Sequence, residues 1–324
     1  MHSLSSLRTK LEQSIAALSF QDKPVELYEP IIYTMNLGGK RIRPLLFLMG
    51  CDLFDGDIES SLRPALAIEL FHNFTLLHDD IMDKAPLRRG KDTVYKKWNT
   101  NIAILSGDTM FAIAYDFLTE VDPALLPEML KLFTQTAREV CEGQQYDMNF
   151  EKQSSVTIAD YIQMIRLKTA VLLGCSLKLG AILGHASPVD ANFIYGFGEN
   201  LGLGFQLQDD LLDVFGNEDK FGKAIGGDIV TNKKTFLYLK AMEVAVPNDL
   251  SALKHCFSDP KIQPKEKVNR VRDIYTRLDI HEKTKDQIDI YYANALKCLQ
   301  EIHVEENRKE ELKALAKQLL FRDF

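Results

Sequence analysis

Residues 4–18 read Leu-Ser-Ser-Leu-Arg-Thr-Lys-Leu-Glu-Gln-Ser-Ile-Ala-Ala-Leu, so that Leu4, Leu7, Leu11, Ile15 and Leu18 recur at intervals of three and four. A helix advances by about 100° per residue, and this spacing gathers the five apolar side chains on one face. The same pattern fills nearly every segment between the Gly and Pro punctuation of the chain, while alternating, β-branched runs of strand character are missing. The punctuation falls at Gly38-Gly39, Asp55-Gly56, Lys84 to Lys91, Val121-Asp122-Pro123, His185 to Pro188 and Gly216 to Lys234, with stretches of helical length between. No Pro- or Ser-rich linker divides the chain, and no internal repeat is evident. The expected fold class is therefore all-α, a single domain of many helices over residues 1–324.

Composition narrows the function classes. With 46% hydrophobic and 26% charged residues, usage is that of an ordinary globular protein and indicates neither disorder nor a membrane-embedded body. The formal net charge of −7 argues against nucleic acid or an anionic membrane as partner, since both call for a basic face. Any anionic ligand must then be held by local cations. Five cysteines, Cys51, Cys141, Cys175, Cys256 and Cys298, stand singly without a Cys-x-x-Cys spacing and read as thiols of a reducing compartment. Met1-His2-Ser3-Leu4 opens neither a basic nor an uninterrupted apolar run, and no stretch approaches the roughly 20 apolar residues of a membrane span. A cytoplasmic protein without stable membrane insertion is expected.

Asp-Asp-x-x-Asp occurs twice, as Asp79-Asp80-Ile81-Met82-Asp83 and as Asp209-Asp210-Leu211-Leu212-Asp213. On a helix Asp79 and Asp83 lie one turn apart on nearly the same face, with Asp80 beside them, so three like charges converge. Pro86 places a helix end close behind the first cluster, where anions also meet the negative end of the helix dipole. Both clusters follow apolar sequence, Phe74-Thr75-Leu76-Leu77-His78 and Phe205-Gln206-Leu207-Gln208, where a merely solvated acidic face would be more polar. Carboxylates crowded against their own repulsion call for a cation, and carboxylate oxygens that share an ion with phosphate and water are the usual way to hold magnesium.

Basic residues accompany the acids. Gly38-Gly39-Lys40-Arg41-Ile42-Arg43-Pro44 joins a flexible turn to closely spaced cations, a composition suited to wrapping a phosphate. Arg88-Arg89-Gly90 follows the first cluster; Gly222-Lys223, Gly226-Gly227-Asp228 and Asn232-Lys233-Lys234 follow the second; Lys168-Thr169 lies in a helical stretch. Two acid clusters, each followed by Gly-flanked cations in an otherwise acidic chain, describe a cleft for magnesium and two polyanionic ligands. A Walker pattern is absent, Gly198 to Gly204 lacks the strand context of a dinucleotide fingerprint, and no nucleophile is singled out.

Taken in order from about Gly38 to Lys234, these motifs resemble those of the trans-isoprenyl diphosphate synthases, the farnesyl and geranylgeranyl diphosphate synthases and their longer-chain relatives. The resemblance implies an isoprenoid synthase-like bundle around a central active-site cavity, a homodimer, and head-to-tail transfer of an allylic diphosphate's prenyl group to isopentenyl diphosphate. It further implies three magnesium ions per site, held by Asp79, Asp80 and Asp83 on one side and by Asp209, supported by Asp210 and Asp213, on the other. Lys168, Lys223, Lys233 and Arg88, aided by Thr169 and Gln206, would hold the allylic diphosphate. Lys40, Arg43, His72 and Arg89 would seat isopentenyl diphosphate. Ionisation of the allylic carbon–oxygen bond in a water-poor cavity gives a cation that the neighbouring double bond attacks, and the departed diphosphate is the expected base. A terpene cyclase would have no need of the isopentenyl site at Lys40, Arg43 and Arg89, and a non-catalytic synthase subunit would be expected to lack one cluster or its cations.

Product length is expected to be read by residues upstream of Asp79. At about 1.5 Å per residue Thr75 lies about 6 Å, Phe74 about 7.5 Å and Phe71 about 12 Å below it. Thr75 is the nearest in helical phase and is small. Family members with an aromatic there tend to stop at fifteen carbons, so Thr75 with Phe74 beside it suggests a twenty-carbon, geranylgeranyl-type product, against farnesyl or longer chains. The competing expectation is that Phe71 and Phe74 are ordinary core aromatics.

Overall fold

The computed structural model describes residues 2–20, 23–153, 155–216 and 225–321, and among these the chain is all-α, as the apolar spacing predicts. Helices α1 (Leu4–Ala16), α2 (Val25–Met35), α3 (Ile42–Leu53) and α4 (Ile58–Met82) lead to a two-residue hairpin, β1 (Leu87–Arg88) and β2 (Lys91–Asp92). After it come α5 (Val94–Lys97), α6 (Thr100–Leu118), α7 (Leu126–Lys152), α8 (Ile158–Ile165), a π-helical turn (Arg166–Ala170), α9 (Val171–Leu183) and α10 (Pro188–Phe215). The C-terminal part holds α11 (Gly227–Val230), α12 (Phe236–Val244), α13 (Pro247–Ser258), α14 (Pro264–Arg277), α15 (Ile280–Gln300) and α16 (Glu310–Leu320).

Local chemistry sets the helix starts. Ser3 accepts from the Ser6 amide before α1, Asp57 from Glu59 and Ser60 before α4, and Asn99 from Ile102 before α6. Thr157 and Asp160 form a capping box at α8. The first helix stops at Ala16, so Leu18 lies beyond its end; Leu7, Leu11 and Ile15 are the residues it buries. The break between α7 and α8, residues 153–157, carries neither Gly nor Pro and gives no punctuation signal. The hairpin was likewise invisible to periodicity, because two residues per strand show no alternation.

The chain divides into two compact units. One comprises Met1–Thr134, Cys175–Ile194 and His303–Glu311, the other Gln135–Gly174, Tyr195–Ile302 and Leu312–Phe324. In the first, α4 packs along α6 and against α3, and its 25 residues bury Leu66, Ile68, Leu70, Phe71 and Leu77. An apolar helix with neighbours on several sides fixes its last turn firmly, and that turn carries Asp79 and Asp80, with Asp83 as its C-cap. In the second, α10 ends at Phe215 and carries Asp209, Asp210 and Asp213 in its last two turns. Both acid clusters thus lie where the helix dipole is negative, the placement inferred for the first from Pro86.

Candidate active site

The first unit assembles an acid–base surface from α4, the hairpin and the loop before α3. Asp80 is 4% exposed, and Arg88 grips it through Nε to both carboxylate oxygens at 2.8 and 2.9 Å and through Nη2 at 2.7 Å. Burial raises the Asp80 pKa and Arg88 opposes that shift. Arg88 can reach back because Arg89 and Gly90 form the hairpin turn with φ of 53° and 75°, the pair of positive values of a type I′ turn. The exposed Arg89 then donates from Nη1 to the carbonyl of Gly38. Gly39 has φ of 134°, and a Cβ there would stand 2.7 Å from the Arg89 guanidinium carbon, so this close approach requires glycine.

Arg41 holds the loop from below. It caps α3 in the left-handed conformation, φ 50°, pairs with Glu69 and donates to the carbonyl of Met35. Glu69 is 2% exposed and also accepts from Asn73 Nδ2 at 2.9 Å. Arg43, two residues on, meets His72 Nε2 at 3.2 Å. Burial first, then the charge of Arg43 and the arginines around it, pushes the His72 pKa well below its ordinary value. The ring is therefore neutral, and Nε2 accepts from Arg43.

The second unit centres on the π-helical turn. Val171 N–H bonds to the carbonyl of Arg166, five residues back, and the turn carries Lys168 and Thr169. It packs where two glycines leave room: a Cβ on Gly143 would lie 2.3 Å from Lys168 N, and one on Gly202 2.5 Å from Ala170 Cα. Lys168 Nζ pairs with Asp147 at 2.5 Å, and Thr169 Oγ1 donates to Gln206 Oε1 at 3.2 Å. Gln206 Nε2 donates in turn to Asp210 Oδ1 at 3.0 Å, and the Tyr161 hydroxyl donates to Asp210 Oδ2. Burial, then Asp228, pushes the Asp210 pKa up.

Asp213 accepts the Asp228 amide at 3.1 Å at the start of α11; burial, then Asp228, raises its pKa to about 6. Lys233 lies 3.8 Å from Asp228. Lys234 donates to the carbonyls of Phe150 and Gln153, both at 2.5 Å, closing the end of α7. Asp147, Tyr161, Lys168, Thr169, Gln206, Asp210, Asp228 and Lys233 line one pocket of about 110 Å³.

A model of the polyprenyl synthetase family matches residues 24–277. The chain belongs to the polyprenyl synthetase family. It is 37% identical over 295 residues to the geranylgeranyl diphosphate synthase of Saccharolobus solfataricus, covering 90% of this chain and 88% of that protein. To the geranylgeranyl diphosphate synthase of Methanosarcina mazei it is 39% identical over 230 residues, 70% of this chain and 71% of that one. A crystal structure of a geranylgeranyl pyrophosphate synthase superimposes with a TM-score of 0.95 at 42% identity, covering all of both chains. As a member of the polyprenyl synthetase family the protein is a prenyl-transferring enzyme.

Members of this family use a divalent metal. The donor set here suits one. Among the described residues no three His, Cys, Asp or Glu side chains converge into a ready cage. Aspartate oxygens suit an ion which takes one or two carboxylates and fills its remaining positions with water and phosphate oxygens. The middle aspartate of each cluster, Asp80 and Asp210, has both carboxylate oxygens engaged by protein donors. Asp79 lies in the last turn of α4 with Asp83 as its C-cap, and Asp209 lies on α10. Lys223 lies outside the described residues. Sequence reasoning did not single out Asp147, Tyr161, Glu69 or the helix-closing role of Lys234. A lone acid or tyrosine inside a helix carries no local signal, and each of these contacts joins residues 21 to 84 positions apart, or 28 for Glu69 and Arg41.

Proposed function

We propose that the enzyme condenses isopentenyl diphosphate with an allylic diphosphate, head to tail, and that its principal product is geranylgeranyl diphosphate. The observation that carries this reading is the presence, in a polyprenyl synthetase, of two aspartate clusters at helix C-termini together with a separate arginine-rich loop at Lys40, Arg43 and Arg89. A single diphosphate would need only one such set; a second diphosphate needs the loop. The relatives named above support the twenty-carbon product. Residues 1–324 act as one synthase domain.

Asp79, Asp83 and Asp209 would supply carboxylate oxygens to magnesium, three ions per site, with Asp213 and Asp228 adding negative charge behind Asp209. Magnesium, when bound there, would supply positive charge to offset that of the leaving diphosphate. Lys168, Lys233 and Arg88 bind that diphosphate, and Thr169 and Gln206 line its reacting end. Lys40, Arg43 and Arg89 bind isopentenyl diphosphate, and neutral His72 holds Arg43 in place. None of these side chains is a dedicated base, so the proton lost after carbon–carbon bond formation goes to the departed diphosphate. The chain works as a homodimer in the cytoplasm; among the described residues the five cysteines form no disulfide, and no helix is long and apolar enough to cross a membrane.

Product length is set at Thr75 and Phe74. The Phe74 ring stacks on Phe111 at 5.0 Å, and Phe71 is enclosed by Phe74, Phe111 and Phe133 at 5.2 to 5.7 Å. The Thr75 hydroxyl is turned back to the carbonyl of His72, leaving its methyl as the only bulk at that position. Incubation with both substrates and magnesium, with products resolved by chromatography, tests the reading. The parent should give a twenty-carbon chain, Thr75→Phe a shorter one, and Phe74→Ala or Phe71→Ala longer ones. Identical lengths in all four would remove this helix face as the ruler, and no elongation by the parent would sink the function itself.

A further inference from the structure

The pocket in the second unit contains the hydroxyl of Tyr161, a buried group to which the chemistry proposed so far gives no task. Tyr161 is 3% exposed and sits on α8, a turn ahead of the π-helical segment. It begins a chain of hydrogen bonds: Tyr161 to Asp210 Oδ2, Gln206 Nε2 to Asp210 Oδ1 at 3.0 Å, and Thr169 Oγ1 to Gln206 Oε1 at 3.2 Å. Burial, then Asp210, pushes the tyrosine pKa well above its ordinary value, so the phenol keeps its proton and remains a donor.

A side-chain amide is polar in a directional sense. Its NH2 end carries positive partial charge and its carbonyl end negative, and the two ends are nearly equal in size. Nothing steric decides which end of Gln206 points at Thr169. Asp210 Oδ1 decides it, because that oxygen is an acceptor whether or not a proton is shared between Oδ2 and the phenol. The NH2 of Gln206 must face Asp210, and the carbonyl must face Thr169. Turned the other way, the amide would put a carbonyl against a carboxylate and its positive end toward a developing cation.

We propose that Tyr161 and Asp210 are positioning residues for prenyl transfer, Tyr161 fixing Asp210 and Asp210 fixing Gln206 with its carbonyl on the side where positive charge develops on the allylic carbon. The proposal rests on the placement of Thr169 and Gln206 beside the allylic substrate in the function given above. It gives the middle aspartate of the second cluster a task toward the protein in place of a share in the metal.

Steady-state kinetics with an allylic diphosphate, isopentenyl diphosphate and magnesium test it on Tyr161→Phe, Asp210→Asn, Gln206→Ala and the two double variants containing Gln206→Ala. Circular dichroism and a thermal melt establish that each is folded. Tyr161→Phe should lower kcat about tenfold with both KM values within about twofold, the pattern of an interaction made in the transition state. Asp210→Asn should cost about a hundredfold, since asparagine can present its own NH2 and turn the glutamine over. In the Gln206→Ala background either change should matter less than about twofold, because the amide it positions is gone. The two cycles are independent, so an insoluble variant in one leaves the other to decide. Additive losses, or a parental kcat in folded Tyr161→Phe, overturn the proposal, as does a tenfold rise in the magnesium requirement of Asp210→Asn, which would return Asp210 to the metal. A parental kcat in Gln206→Ala overturns the underlying placement of Gln206 instead.

Discussion

Replacing Glu69 by Gln tests the support beneath the loop proposed to seat isopentenyl diphosphate. The Arg41 and Glu69 side chains are each 2% exposed. Among the described residues the Glu69 carboxylate is the acidic partner of Arg41, which also donates to the Met35 carbonyl. Glutamine keeps the shape but leaves a guanidinium buried without a counter-charge, a change that costs about 3–5 kcal/mol. At about 2.1 cal/mol/K of unfolding entropy per residue, a chain of 324 residues that melts in one transition loses about 1.5 °C per kcal/mol. The melting temperature should therefore fall by about 4–7 °C. Arg41 is also held at φ 50°, so loosening it frees the backbone next to Lys40 and Arg43. The KM for isopentenyl diphosphate should rise while that for the allylic substrate stays near its parental value. The double variant Arg41→Met with Glu69→Met separates the two effects. Removing both charges should restore most of the melting temperature but not the KM. A melting temperature within a degree of the parent in Glu69→Gln, with both KM values unchanged, would show that the pair neither stabilises the unit nor aims the loop.

Three further outcomes are expected. Asp209→Ala should lose condensation by several powers of ten, on the scale of lost transition-state charge stabilisation, while keeping its helical circular dichroism; near-normal turnover at saturating magnesium would contradict its role as ligand. Arg89→Ala should raise the KM for isopentenyl diphosphate more than that for the allylic substrate, and equal effects would misplace it. Magnesium affinity should weaken as pH falls below about 6. Asp213 holds its proton more tightly than an ordinary aspartate because of burial and Asp228, so the proton competes with the cation below that value and ceases to compete above it. A magnesium dependence unchanged between about pH 7 and about pH 5, values about one unit to either side of that pKa, would dissociate Asp213 from the metal.

Helical periodicity disclosed the fold class because an apolar face repeats within a single segment, and the aspartate and cation motifs were legible because each is a short local string. What stayed hidden depends on partners distant in sequence. Arg88 reads as a loose cation after Pro86, but the type I′ turn at Arg89-Gly90 folds it back onto Asp80 eight residues earlier. Lys168 reads as part of an ordinary helix, whereas the i to i+5 bond at Arg166 and the space left by Gly143 and Gly202 put a π turn there. Lys234 reads as one more cation beside Lys233, yet it closes the end of α7. Glu69 reads as one acidic residue in an apolar helix, with no mark of the arginine 28 positions away that it neutralises.

The two clusters share a spacing but not a charge balance. In each, the second aspartate is turned about 100° from the first by helix geometry and points into protein, while the first is only half-buried. Asp80 and Asp210 are both 4% exposed in consequence. The first is met by the guanidinium of Arg88, which cancels its charge, and the second by a phenol and an amide, which cancel nothing. The second unit also brings Asp228 close enough to raise the pKa of both Asp210 and Asp213, while Lys168 is already paired with Asp147. Carboxylates are therefore crowded together in the second cluster, where Asp228 joins Asp210 and Asp213 and Lys233 stands 3.8 Å from Asp228. A cation bound at Asp209 relieves more repulsion, so the second cluster should hold magnesium more tightly than the first. Titration of magnesium into Asp79→Ala and Asp209→Ala, followed by calorimetry without substrate, reads the two separately; tighter binding in the variant that keeps only the first cluster would reverse this order.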